Sequence, residues 1–95
     1  MSNLSKLTKL VPPSAAAKEV ACRERNFRRA LGITQQQLSE RSGVVLGSLR
    51  RFEQTGQISF ESLVCLCRAL DCESSLDGLF AKPAYRSIQE VIDEQ

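Results

Sequence analysis

The chain has 95 residues, 42% of them hydrophobic and 25% charged, with a formal net charge of +2. That composition excludes a disordered polyelectrolyte and fits one small globular domain near the lower size limit for an independent core. No apolar run approaches the ~18 residues of a membrane span, and residues 1–13 lack the apolar stretch of a signal peptide, so a cytoplasmic setting with no membrane partner is expected.

Residues 1–13 are polar, end in Pro12-Pro13 and read as a flexible or extended arm. Ser14 is a good N-cap, and the run "AAAKEVACRERNFRRAL" has strong helix formers and no Gly or Pro. It predicts a first helix over about 15–31, with Val20, Phe27 and Leu31 sharing one face and Gly32 as its stop. In "TQQQLSERSG", Thr34 and Gln37 form a capping box, Leu38 points to the core and Gly43 closes a short second helix. A third is predicted at about 46–54, with Leu49 and Phe52 inward and Gly56 after its end. The fourth, about 60–70, is capped by Ser59 and carries Phe60, Leu63, Cys67 and Leu70 as its buried stripe.

Ser74 to Asp77 reads as another capping box, opening a short fifth helix through Phe80, after which Pro83 breaks the chain. Ser87 to Glu90 has the same pattern and predicts a terminal helix from Ile88 to Asp93; an exposed strand is the alternative, but the spacing of Ile88, Val91 and Ile92 favours a helix. No segment alternates with a period of two, so the expected fold class is all-α.

Charge is unevenly distributed along these elements. Residues 1–53 hold ten Lys and Arg against four Glu, and residues 54–95 hold three Lys and Arg against seven Asp and Glu. A basic half and an acidic half suggest one surface for a polyanion and another for a different task, although an uneven solvated surface would look the same.

Four cysteines, Cys22, Cys65, Cys67 and Cys72, raise a disulfide or zinc reading. However, "CLCRALDC" has no matching CxxC pair, the chain has no histidine, and Cys65 and Cys67 face different ways on one helix. Reduced structural thiols are therefore expected, with no metal site and no cofactor; metal or redox sensing is the alternative. Without histidine the usual general base is missing, and no activated nucleophile, carboxylate pair or Gly-rich phosphate loop is present, so an enzyme is not expected.

The second and third helices are separated by only Ser42 to Val45, which fits a near-perpendicular helix-turn-helix. From Gln35 onward, Leu38, Ser39, Gly43, Val44, Leu49 and Phe52 fall on the apolar, small, turn-glycine and later core places of the twenty-residue pattern. With "GITQQQL" before it and "RRFEQTG" followed by "SLVCLCRALD", the chain resembles the phage-repressor (Cro-type, XRE) helix-turn-helix DNA-binding family over about residues 20–80. The resemblance implies a five-helix, lambda-repressor-like domain at 14–81, with an arm at 1–13 and a short C-terminal helical tail at 82–95. Family members usually carry Ser or Thr at the position of Val45, often Gln, Arg or Ser at 46 and 47, and commonly Pro near Ile58-Ser59.

By that resemblance the third helix enters the major groove. Its outward arc holds Leu46, Gly47, Arg50, Arg51 and Gln54. Arg50 or Arg51 would reach guanine, Leu46 would cover a thymine methyl or else contact protein, and Gly47 would admit close backbone approach. Gln35, Gln36, Ser48, Thr55 and Gln57 are the implied backbone contacts. Arg28 and Glu53 match a family pair that forms a structural salt bridge. Arg23, Arg25 and Arg29 are basic residues of the first helix, of which at most one or two would touch phosphate, the rest facing solvent.

The implied partner is double-stranded operator DNA, bound by a homodimeric repressor on a palindromic site. Leu79, Phe80, Tyr85, Ile88, Val91 and Ile92 exceed what closes the core and form the expected dimer or partner face. A small DNA-binding domain with such a tail also resembles the antitoxins of toxin–antitoxin pairs, which makes a protein toxin the alternative partner.

Overall fold

The computed structural model describes residues 12–81. The expected terminal helix and tail residues Tyr85, Ile88, Val91 and Ile92 lie outside the described residues, as does most of the arm. Among the described residues there are five helices and no strand: α1 Pro13–Ala30, α2 Gln35–Ser42, α3 Leu46–Thr55, α4 Phe60–Ala69 and α5 Ser74–Asp77. α3 packs against α1, and α2 packs against both α3 and α4.

Local chemistry explains most boundaries. The Thr34 hydroxyl accepts from the Gln37 backbone N–H at 3.1 Å, and the Gln37 side chain accepts from the Thr34 N–H at 2.9 Å, completing the capping box of α2. Ser59 caps α4 through its hydroxyl, which accepts from the Ser62 N–H at 3.1 Å. α1 starts differently from the sequence expectation. Pro13 is its first residue and Pro12 its N-cap, so Ser14 lies inside the helix and caps nothing. A proline fits there because the first helical N–H has no partner to lose. Ser74 likewise lies inside α5, which follows Glu73 without a side-chain cap and ends at Asp77 rather than Phe80.

The core consists of Ala21, Ile33, Leu38, Val44, Leu49, Phe52, Leu66 and Leu70. Removing each of the largest, Phe52, Leu38, Leu49 and Leu66, from water contributes ~1.5–3 kcal/mol. Two expected faces are corrected. Val20, Phe27 and Leu31 of α1 are 39%, 44% and 53% exposed, while Ala21 and Arg28 are the buried positions of that helix. The inward face of α1 carries small and charged residues because its backbone lies close to the α3–α4 loop. A Cβ at Gly56 would come within 2.7 Å of the backbone of Ala17 and Lys18. On α4, Phe60 is 61% exposed and Leu66 is fully buried. The inward stripe is therefore Leu63, Leu66 and Leu70, with Cys67 half-buried at its edge.

Candidate nucleic-acid interface

The turn between α2 and α3 is fixed by short polar side chains. The Ser39 hydroxyl donates to the Val44 carbonyl at 2.6 Å, and the Val44 N–H donates to the Ser42 hydroxyl at 3.1 Å. Gly43 closes α2 at φ +77°, in the left-handed region that a residue with a Cβ adopts only at a cost. These bonds satisfy turn groups that neither helix can reach, and they set where α3 begins. Val45 is the N-cap of α3 and supplies no side-chain acceptor.

The orientation of α3 depends on one ion pair. Arg28 of α1 donates from Nε and Nη2 to the two carboxylate oxygens of Glu53, each at 2.9 Å, and from Nη1 to the Ile33 carbonyl at 2.9 Å. Gln35, the first residue of α2, donates its Nε2 to Glu53 Oε1 at 2.9 Å. The carboxylate thus ties α1, α2 and α3 together, Arg28 adds the α1–α2 loop, and the pair is shielded, with side-chain exposures of 8% and 3%. Its hydrogen bond to Glu53 holds the Arg28 guanidinium above its ordinary pKa. Burial pushes the Glu53 carboxyl up, but hydrogen bonds from Arg28, Glu24 and Gln35 prevail and keep it below the ordinary value.

Glu24 of α1 stands behind this brace. Both of its carboxylate oxygens are buried, and no donor reaches them. Burial first, then the hydrogen bond to Glu53 and its charge, push the Glu24 carboxyl up to about 8. The shift favours the protonated form of Glu24 at neutral pH, as expected where two carboxyls share a shielded site.

With α3 held this way, Leu49 and Phe52 turn inward and Gly47, Arg50, Arg51 and Gln54 are exposed. Leu46 is half-buried beside them, and Gly47 has open space where a side chain would be. Arg51 donates to the Gln57 side chain, the Gln57 N–H donates to the Thr55 hydroxyl at 3.1 Å, and that hydroxyl donates to the Arg51 carbonyl at 2.7 Å. Arg51 is thereby steadied against the loop after α3, while Arg50 projects with no hydrogen-bond partner among the described residues.

Two open polar recesses flank α3. One, of about 420 Å³, is lined by Arg25, Arg28, Arg29, Thr34, Gln35, Glu53 and Gln54. The other, of about 280 Å³, is lined by Ser48, Arg51, Gln57, Ile58, Ser59 and Ser62. Ser48, Arg51 and Gln57 thus converge on one recess and Gln35 stands in the other. Gln36 is exposed nearby, and Thr55 acts through the loop. Gln54, Arg25 and Arg29 complete the first recess, and their sequence signal is the spacing of Arg25, Arg28 and Arg29 along one side of α1.

Away from α3, Leu79 is 50% exposed and Phe80 96% exposed with φ +58°. Cys22, Cys65, Cys67 and Cys72 are free thiols. Burial, reinforced by neighbouring Cys72, pushes the Cys67 thiol up to about 11, so little of it is thiolate at neutral pH. Among the described residues no group of three or more His, Cys, Asp or Glu side chains could hold a metal, and no helix is long and apolar enough to cross a membrane.

Residues 25–75, more than half of the chain, match the family model of the Cro/C1-type HTH DNA-binding domain. No curated protein matches the chain.

Proposed function

The chain belongs to the Cro/C1-type helix-turn-helix DNA-binding family and is a DNA-binding transcriptional regulator; on that premise we propose that it is a repressor binding a two-fold-related operator as a homodimer. The observation that carries this reading is the outward face of α3, braced from behind by Arg28 and Glu53 and flanked by two polar recesses. A helix in the major groove needs such a face between two phosphate contacts, one toward each strand of backbone.

In this reading Arg50 and Arg51 contact base edges, with guanine the preferred partner of a guanidinium fork. Gly47 lets the helix backbone approach, and Leu46 covers a thymine methyl. Gln35, Gln36, Ser48, Thr55 and Gln57 serve the phosphates. Gln35 commits one amide N–H to Glu53 and keeps the other for DNA, so the brace also aims a phosphate ligand. Repression needs only occupancy of promoter DNA, the least demanding output for a module of this kind.

Homodimerisation is supported by the exposed Leu79 and Phe80 at the C-terminal edge of the described domain. Tyr85, Ile88, Val91 and Ile92 would extend that face. An antitoxin that binds a protein toxin through the same residues is the second reading, favoured by the same exposure. Light scattering on the purified chain separates the two: a concentration-dependent dimer lost in Phe80→Ser supports the homodimer, and a monomer that recruits a second protein through Phe80 supports the antitoxin.

DNA recognition is tested by fluorescence anisotropy on the chain's own upstream DNA and on random duplex. Arg51→Ala should erase the preference for the specific site, losing ~1–3 kcal/mol of discrimination. Gln35→Ala should weaken binding to both duplexes about equally. Equal affinity of the wild type for both duplexes would refute sequence-specific recognition.

A further inference from the structure

α4 ends in a turn that brings two of the four cysteines together. Leu70 is the C-cap, and Asp71 follows at φ +57°, in the left-handed region. The Asp71 N–H donates to the Arg68 carbonyl at 3.1 Å, and the Cys72 N–H donates to the Cys67 carbonyl at 2.9 Å. These two bonds are the Schellman closure of a helix end, in which the residue after the turn commonly packs its side chain on the one whose carbonyl it meets. In this chain both of those residues are cysteines.

Three further observations bear on the pair. Both thiols are half-buried and line one open, mainly apolar groove of about 410 Å³, walled by α1, α4 and the start of α5. Burial first, then the neighbouring Cys72, raises the Cys67 thiol, so the two sulfurs are close enough to sense each other. On the outside of the same turn Arg68 Nε donates to Glu73 Oε2 at 3.1 Å, so one cross-turn pair already holds this corner. Cys22 and Cys65 do not line the groove. Cys22 is exposed on α1, and Cys65 lies two residues before Cys67 on a different side of α4.

We propose that Cys67 and Cys72 are a reversible dithiol–disulfide pair, oxidised by a small disulfide of the glutathione class, which staples the end of α4 to the chain entering α5. In the reduced fold the two sulfurs serve as a small apolar contact, and the same contact shortens the path to a covalent bond. Cys67 stays a thiol at neutral pH, so the first attack falls to Cys72. Its thiol loses a proton, its sulfur attacks one sulfur of the small disulfide, and a small thiolate leaves and takes up that proton. The Cys67 sulfur then attacks the Cys72 sulfur of the mixed disulfide, and its proton passes to the second leaving thiolate. The protein gives up two hydrogens and two electrons, and the small disulfide becomes two thiols. The staple fixes the corner through which the chain leaves the core toward exposed Leu79 and Phe80, and it touches neither α3 nor the recesses beside it.

The test treats the full folded chain with glutathione disulfide, alkylates the remaining thiols and digests with trypsin without reductant. Arg68 lies between the two cysteines, so cleavage there separates peptide 52–68 from the peptide that begins at residue 69 unless a disulfide joins them. The expected product is that joined pair, free of glutathione, with Cys22 and Cys65 alkylated and the bond reopened by excess reduced glutathione. Cys65→Ala should give the same joined pair, whereas Cys67→Ser should stop at a mixed disulfide of Cys72 with glutathione. In urea the equilibrium constant for the bond should fall by about tenfold or more, because the folded turn has already closed the loop. By linkage the oxidised chain should then unfold at higher urea than the reduced one. Wild-type chain that retains glutathione on Cys72 would place Cys67 out of reach and overturn the proposal. A bond that uses Cys22 or Cys65, thiols that all stay reduced, or an equal constant in folded and unfolded chain would overturn it as well.

Discussion

Glu53 is the residue on which most of the arrangement converges, since it receives two hydrogen bonds from Arg28 and one from Gln35, with the buried Glu24 carboxyl behind it. Truncating its partner should be costly: Arg28→Met leaves a buried carboxylate unpaired and should lower stability by ~3–5 kcal/mol in urea unfolding. That is a large share of what a small domain has. Glu24 gives a prediction of the opposite sign. Its folded pKa is about 8 against an ordinary 4.5, so the unfolded chain loses this proton first as pH rises. Wild-type stability should therefore decline from about pH 4.5 upward until Glu24 ionises near 8 in the folded state. Glu24→Gln keeps a donor to Glu53 and cannot ionise. By urea midpoints it should be the more stable protein at pH 9 by on the order of 1–2 kcal/mol, allowing for solvent screening, with little difference at pH 4. Parallel pH curves for the two proteins would contradict this assignment. The Arg28–Glu53 partnership was legible in the sequence through the family pattern. Glu24 was not, because a glutamate on a charged helix carries no mark of burial until the packing of α1 against α3 is known.

At the scale of elements, α2 and α3 were the most legible part of the chain. Capping residues, the turn glycine and the inward pair Leu49 and Phe52 all act over a few residues, and local chemistry fixes them. α1 and α4 were harder because each offers more than one stripe at helical spacing. On α1 the larger side chains Val20, Phe27 and Leu31 suggested the wrong face, since close approach to Gly56 favours small residues there. On α4, Phe60 sits at the first position of the helix, where little packs over it, and Leu66 takes the buried place. Gly56→Ala should destabilise the fold by ~2 kcal/mol or more, because the added Cβ meets the α1 backbone at 2.7 Å and the residue holds φ +81°. Gly43→Ala has open space and bears only the backbone strain of ~1 kcal/mol. Thermal melts of the two variants should therefore separate clearly. Val45→Ser would give α3 the acceptor its first turn lacks, and should stabilise the chain by ~0.5–1 kcal/mol without weakening DNA binding.

The whole molecule divides its labour along the charge asymmetry seen in the sequence. The basic first half supplies α1, α2 and α3 and hence the surface proposed for DNA, and the acidic second half supplies α4, α5 and the edge at Leu79 and Phe80. Composition could suggest a polyanion-facing side but could not choose among the basic residues of α1. That choice depends on which of them share a recess with α3. The central claim is that α3 reads sequence on a two-fold-related site. Enrichment of bound duplexes from a fully random library, using the intact chain, tests it most directly. The predicted result is a motif of two inverted half-sites with centres about one helical turn, ~10 base pairs, apart, lost in Arg51→Ala and kept in Gln35→Ala. Bound duplexes no different in sequence from the starting library would contradict the claim.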